Sequence, residues 1–275
     1  MKLDLIIKTE EYALDMKTGL ETFSGASEAV RSIVEAVTTD KVPQRNTSAN
    51  TLRNTMMETF EGSYGLVFKV SSEVPEVKEK LSEIGPKTMS QVIGYFMSEA
   101  LYQESPNLSK EASNVIDGIS ANTQNALIAK LRRSPLQRAV SVPSTYGYNV
   151  LLRAHTGEIE RQDIFTLSQQ SKTNLSPRLN KEVINLKACI TRLNINTGNG
   201  RLLIKGETET VAFGFPSSYK EVRKAAKKKF SENLDKNNGV SSDKWEYIDI
   251  TATSLRLKSG HIIKYLISGF DVNEE

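Results

Sequence analysis

Between Ile184 and Ile195 the alternation of apolar side chains slips by one residue. Ile184, Leu186, Ala188 and Ile190 keep one phase, and Leu193 and Ile195 continue in the other. A slip inside one long strand is the signature of a β-bulge, and bulged strands bend so that small sheets close. The following residues supply the rest of the order. Asn196-Thr197-Gly198-Asn199-Gly200 is a turn rich in residues that tolerate positive φ. Arg201 to Lys205 reads as a short strand, and Val211, Phe213 and Phe215 mark a third. Ser218 and Glu221 have the spacing of a capping box opening a helix to Phe230, with Tyr219, Val222, Ala226 and Phe230 on its core face. A strand from Ile248 to Leu257, a turn at Lys258-Ser259-Gly260 and a strand from Ile262 to Ile267 complete the pattern. Three strands, a helix and two strands is the order of an OB-like barrel (βββαββ), whose sheet face and loops bind oligonucleotides or oligosaccharides. A small barrel of SH3 type or an α+β sheet fits the same order.

The N-terminal part mixes both periods. Leu3, Leu5 and Ile7 alternate as a strand, and Ser24 opens a helix with Val30, Ile33, Val34 and Val37 on one face. Residues 38–50 read as a loop. Leu52 to Phe60 and Tyr64 to Val70 then form a hairpin turning at Glu61-Gly62-Ser63. Three helical patterns follow: Val74 to Ile84, closed by Pro86; Met89 to Leu101, capped by Thr88; and one long pattern from Ser109 to Leu131. Residues 134–147 are rich in Ser and Pro, Asn149 to Ala154 and Ile159 to Leu167 suggest a second hairpin, and Ser168 to Asn180 reads as a linker. The expected fold class is α+β: an N-terminal α/β-hairpin domain with helices over 1–133, a connecting region over 134–181, and a small β-barrel over 182–270.

Of 275 residues, 38% are apolar, and the net charge is +3, which excludes disorder as the main state. Apolar runs of three or four residues are far short of the roughly 20 that cross a bilayer, so no membrane partner is expected. The start, Met1-Lys2-Leu3-Asp4, has no signal-peptide core, and a cytoplasmic location is expected. A single cysteine, Cys189, excludes an internal disulfide. It alternates within a strand as a buried, inert thiol. His155 and His261 lie beside turn glycines and read as solvated. No Walker loop, nucleophile elbow, dinucleotide fingerprint or local carboxylate cluster is present, and the reading is of a non-enzymatic protein with no cofactor.

Charge is the functional signal. Residues 1–160 carry 17 Lys and Arg against 20 Asp and Glu, whereas residues 161–275 carry 19 against 13. Lys220, Arg223, Lys224, Lys227, Lys228 and Lys229 crowd one helix with Glu221 as the nearby acid. Arg192, Arg201, Lys205, Arg256, Lys258 and Lys264 sit in or beside strands, with Trp245, Tyr247 and Tyr265 among them. Cations for a phosphate backbone and aromatic faces for bases are what a single-strand-binding barrel requires. The candidate nucleic-acid-binding set is therefore Arg192, Arg201, Lys205, Lys220, Arg223, Lys224, Lys227, Lys228, Trp245, Arg256 and Lys258.

The strand, the helix after Gly25 and the strand pair turning at Glu61-Gly62-Ser63-Tyr64-Gly65 resemble the start of uncharacterised bacterial proteins that pair such a domain with a small β-rich C-terminal one. That resemblance implies a bacterial source and a mobile-element or phage-defence setting, and it assigns no functional residue. Two functions from different classes follow: a nucleic-acid-binding protein gripping its target through the basic barrel, or a protein-interaction adaptor, with a protein partner or a homo-oligomer, docking an acidic surface without touching nucleic acid. A hydrolase assembled from distant carboxylates ranks third.

Overall fold

The computed structural model describes residues 1–9, 14–43, 51–60 and 64–270. The chain is a mixed α+β protein with two five-stranded sheets, and it divides into two compact units. Unit one comprises Met1–Leu101 and Ser105–Leu175; unit two comprises Tyr102–Glu104 and the residues from Ser176 onward.

In unit one, β1 (Lys2–Ile7) is the centre of a sheet ordered β2-β3-β1-β4-β5, with β2 at Leu52–Phe60, β3 at Tyr64–Ser72, β4 at Val150–His155 and β5 at Arg161–Leu167. Both neighbours run antiparallel to β1, with Leu5 opposite Leu66 and Leu152. Alternation puts Leu3, Leu5 and Ile7 into one core with Phe68, Val70, Val150, Leu152 and Ala154. The stripes of α1 (Met16–Thr39) and α2 (Pro75–Ala100), including Val30, Ile33, Val37, Ile93, Phe96 and Met97, complete that core. The expected hairpin pairs as read, although its turn, residues 61–63, lies outside the described residues.

Several helix boundaries differ from expectation for identifiable reasons. α1 begins at Met16, eight residues before Ser24, because the Asp15 carboxylate accepts the Thr18 N–H and caps it. The Ser24 hydroxyl instead accepts a bond from Arg138. The two patterns either side of Pro86 are continuous in α2 apart from a break at Gly85. The long pattern after Ser109 is two helices, α3 (Lys110–Asp117) and α4 (Ala121–Arg133). Ser109 caps the first, but Ser120 starts the second by accepting the Thr123 N–H. The buried Gln124 amide ties the pair together, donating to the carbonyls of Ile116 and Ile119.

Of the connecting region expected over 134–181, with its second hairpin and linker, residues 134–175 belong to unit one. α5 (Pro135–Ala139) and α6 (Ser141–Tyr146) bury Leu136, Ala139, Val140 and Val142, and β4 and β5 extend the sheet from β1. α7 (Gln169–Asn174) ends the unit, its Asn174 amide donating to Leu101 O. Proline is no obstacle here, since Pro135 opens α5 at a position whose N–H has no helical acceptor.

Unit two begins with β6 (Arg178–Leu193), followed by β7 (Gly200–Ile204), β8 (Val211–Gly214), α8 (Lys224–Asn237), β9 (Ile248–Arg256) and β10 (Ile262–Phe270). The pairing runs β10-β8-β7-β6-β9 and returns from β9 to β10, a closed barrel. β6 serves two neighbours. Arg178 to Ala188 pair with β9, and Ala188 to Leu193 pair with β7. The register against β7 shifts between Ile190 and Arg192, where the apolar phase slips. β8 and β10 are parallel, Phe213 opposite Tyr265. Among the described residues, no helix is long and apolar enough to cross a membrane.

The close approach of α5 to α1 depends on one missing methyl group. A Cβ at Gly25 would fall 2.4 Å from Ala139 N and 2.5 Å from Pro135 O. Gly25→Ala is therefore expected to destabilise unit one by about 1–3 kcal/mol despite its better helix propensity. The effect would be read as a lower urea midpoint for loss of helical circular dichroism. An unchanged midpoint would mean that α5 yields without cost.

Candidate functional site

α8 presents its cations outward because its other face is fixed. Ala226, Phe230, Asn233 and Asn237 are buried at spacings of four, three and four. Phe230 stacks on Phe213 with ring centroids 5.8 Å apart and meets Phe215 and Phe270 edge-on. Asn233 accepts the Ile190 N–H at 2.8 Å and donates to Glu246 O, while Asn237 both donates to Glu246 O and accepts from its N–H. These bonds prevent rotation of the helix about its axis. Lys224 and Lys228 are left on the exposed face, and Lys227 and Lys229 flank it half-buried.

The start of α8 is not the expected capping box. Tyr219–Glu221 is a single 3₁₀ turn, Val222 and Arg223 are extended, and the helix opens at Lys224 with no side-chain cap and no acid in its first turn. Cations thus gather at the positive end of a helix dipole, an arrangement costing a few tenths to about 1 kcal/mol each. Lys220, Arg223, Lys224, Lys227, Lys228 and Lys229 have no carboxylate within 4.0 Å among the described residues. Lys227 Nζ lies 4.9 Å above the Tyr219 ring and donates to Lys220 O. Tyr219 in turn presses on Gly198, where a Cβ would fall 2.2 Å from its ring. The basic segment is thereby anchored beside the turn that follows β6.

The strand cations do not join this group. Arg201 is a correction: it is 6% exposed, and its guanidinium donates to Thr210 Oγ1, Thr210 O and Tyr102 O, with Glu104 3.9 Å away. It fastens the barrel to residues 102–104 and offers nothing to a phosphate. Arg256 bonds Ser254 and Glu182, and Lys258 is exposed in the next turn. Register places both at the N-terminal end of β6, opposite the end that Tyr219 adjoins. Arg192 is half-buried beside the bulge, and Lys205 lies 5.8 Å from the Tyr247 ring. The Trp245 indole donates to Val240 O and staples its own loop. Tyr265 is buried and is no stacking platform. Cys189 is a buried free thiol whose pKa is raised by desolvation, as the strand alternation suggested.

A second charged group escaped the sequence reading. Asp4 is 2% exposed on β1, on the opposite face from Leu3 and Leu5. Arg153 Nε and Nη2 donate to its Oδ2 at 3.0 and 2.8 Å, and His155 Nε2 lies 2.5 Å from Oδ1. Arg161 Nε stands 3.9 Å from Oδ2. His155, read as solvated, is therefore held by a buried carboxylate. The one sequence signal was an aspartate in an otherwise apolar strand. No group of three or more His, Cys, Asp or Glu suited to a metal ion occurs among the described residues.

Compared with protein-family models, curated proteins and solved structures, the chain matches none. Geometry alone thus divides the candidate residues. Arg201→Ala is expected to destabilise unit two by about 2–3 kcal/mol through lost hydrogen bonds, while leaving oligonucleotide affinity unchanged. Thermal unfolding and a binding titration of the same sample separate the two effects.

Proposed function

We propose that unit two is an OB-type barrel that binds single-stranded nucleic acid by its phosphate backbone, chiefly through the segment Lys220–Lys228. The strand order, the parallel pairing of β8 with β10 and the helix between the third and fourth strands support the fold assignment. The observation that carries the functional reading is the group of six cations between Lys220 and Lys229 around an uncapped helix start, none of them within 4.0 Å of a carboxylate among the described residues. Such a surface attracts polyanions, and backbone contacts of this kind carry no sequence information. Lys258 contributes from the far end of β6 only when the strand is long enough to reach both.

The proposal predicts strong salt dependence. Each phosphate neutralised on a single strand contributes about −0.7 to the slope of log K against log salt. Lys224→Glu, Lys227→Glu and Lys228→Glu together should weaken binding of a fluorescent deoxythymidine oligomer by more than about tenfold and flatten that slope by about 2. Polyglutamate of matched length is the control. Salt-independent binding, an unaffected triple variant with a native circular dichroism spectrum, or equal affinity for polyglutamate would each overturn the reading.

A further inference from the structure

We infer that unit one contains a separate site for a small organic anion with an apolar body, in the cavity beside the Asp4 cluster. The cavity has a volume of about 770 Å³, within the range of small-molecule sites. It lies where β1 begins, β3 ends and β4 turns into β5, alongside the break in α2. All its lining residues belong to unit one.

Its wall has two kinds of chemistry. Val70, Leu81, Pro86 and Met89 supply an apolar side, while Arg161 and His155 supply a polar one backed by Asp4. Two guanidinium groups and an imidazole converge on that single buried carboxylate, and of these Arg161 and His155 line the cavity. Asp4 itself is buried, whereas the Arg161 side chain is 31% exposed and its Nη1 donates to the carbonyls of Glu158 and Glu160, so its guanidinium stands at the cavity edge within reach of a ligand from solvent. Nε2 of His155 faces the Asp4 carboxylate, which holds the ring in the cavity wall. Lys2, Lys78, Glu58 and Glu158 also line the cavity, all four exposed and water-screened.

The backbone is adapted to keep this space open. Gly85 takes φ 71° and ψ 162°, a conformation that only glycine adopts cheaply, and a Cβ there would touch nothing within 4 Å. The glycine is present for the bend it allows, and close packing does not require it. Pro86 then restarts the helix without needing an N–H acceptor. A carboxylate or phosphate monoester on a hydrophobic group matches both walls: its charged head suits Arg161 and His155, and its body suits Leu81 and Met89.

The chain has two histidines, which makes His155 directly observable. In the His261→Asn variant, one imidazole remains for ¹H–¹⁵N nuclear magnetic resonance. Titration with phenyl phosphate should shift its ring signals saturably, with affinity at least about tenfold above that of inorganic phosphate or phenol, each of which lacks one half of the recognised chemistry. Arg161→Ala should weaken phenyl phosphate about tenfold. Lys78→Glu, a change on an exposed helix position that leaves folding intact, should weaken it in the same direction. Unmoved His155 signals at millimolar phenyl phosphate would overturn the inference, as would equal affinity for inorganic phosphate or undiminished binding by the Lys78→Glu variant.

Discussion

The second unit is organised by one aromatic insertion. Phe213 and Tyr265 face each other across the parallel β8–β10 pair, and a parallel pair cannot be joined by a hairpin. The chain has to leave β8, cross, and return through β9 before β10 can form. α8 is that crossing, and Phe230 is what seats it, entering between Phe213, Phe215 and Phe270. Burying a phenyl ring contributes about 1.5–3 kcal/mol, but its larger consequence is directional. Once Phe230 and Asn233 are placed, no rotation of α8 can bury Lys224 or Lys228. The cationic surface is a geometric consequence of the core beneath it.

Local periodicity made much of this legible. The phase slip near Ile190 marked the bulge, and the order of strands and helix in unit two was visible from alternation and turns. The start of α8 was not, because Ser218 and Glu221 have capping-box spacing but fold as a 3₁₀ turn. Val222, which suits a helical stripe, packs against the barrel core from extended backbone instead. Arg201 shows the other limit. Alternation places it on the outer face of β7, which is correct, yet that face is covered by residues about a hundred positions earlier. A one-dimensional pattern reports which way a side chain points and is silent on what distant segment meets it.

Unit one gives the same lesson from composition. Ser and Pro between 134 and 147 suggested a connector, but what matters is which positions they occupy. Pro135 opens α5, and the intervening Leu136, Ala139, Val140 and Val142 are all buried. Asp4 was overlooked because an acid in a strand is unremarkable until its neighbours are known. Those neighbours, Arg153 and His155, come from a strand about 150 residues later. The short-range helices and strands were readable, and the polar clusters closed by long-range pairing were not.

The two cation groups differ in the medium around them, and this separates what they can do. The lysines of α8 project into water, where charges more than about 10 Å apart are screened at 0.1 M salt. They act together only on a ligand that carries many phosphates along its length, and only while salt is low. Arg161 and His155 back onto a carboxylate that is 3% exposed, beside a cavity that opens to solvent. Charges partly withdrawn from water are screened less than fully exposed ones, and a single anionic group meets a shorter-ranged field there. On the two proposals above, residues of the same charge type would serve a polymer in unit two and a small molecule in unit one. Increasing ionic strength should erode the first interaction more steeply than the second.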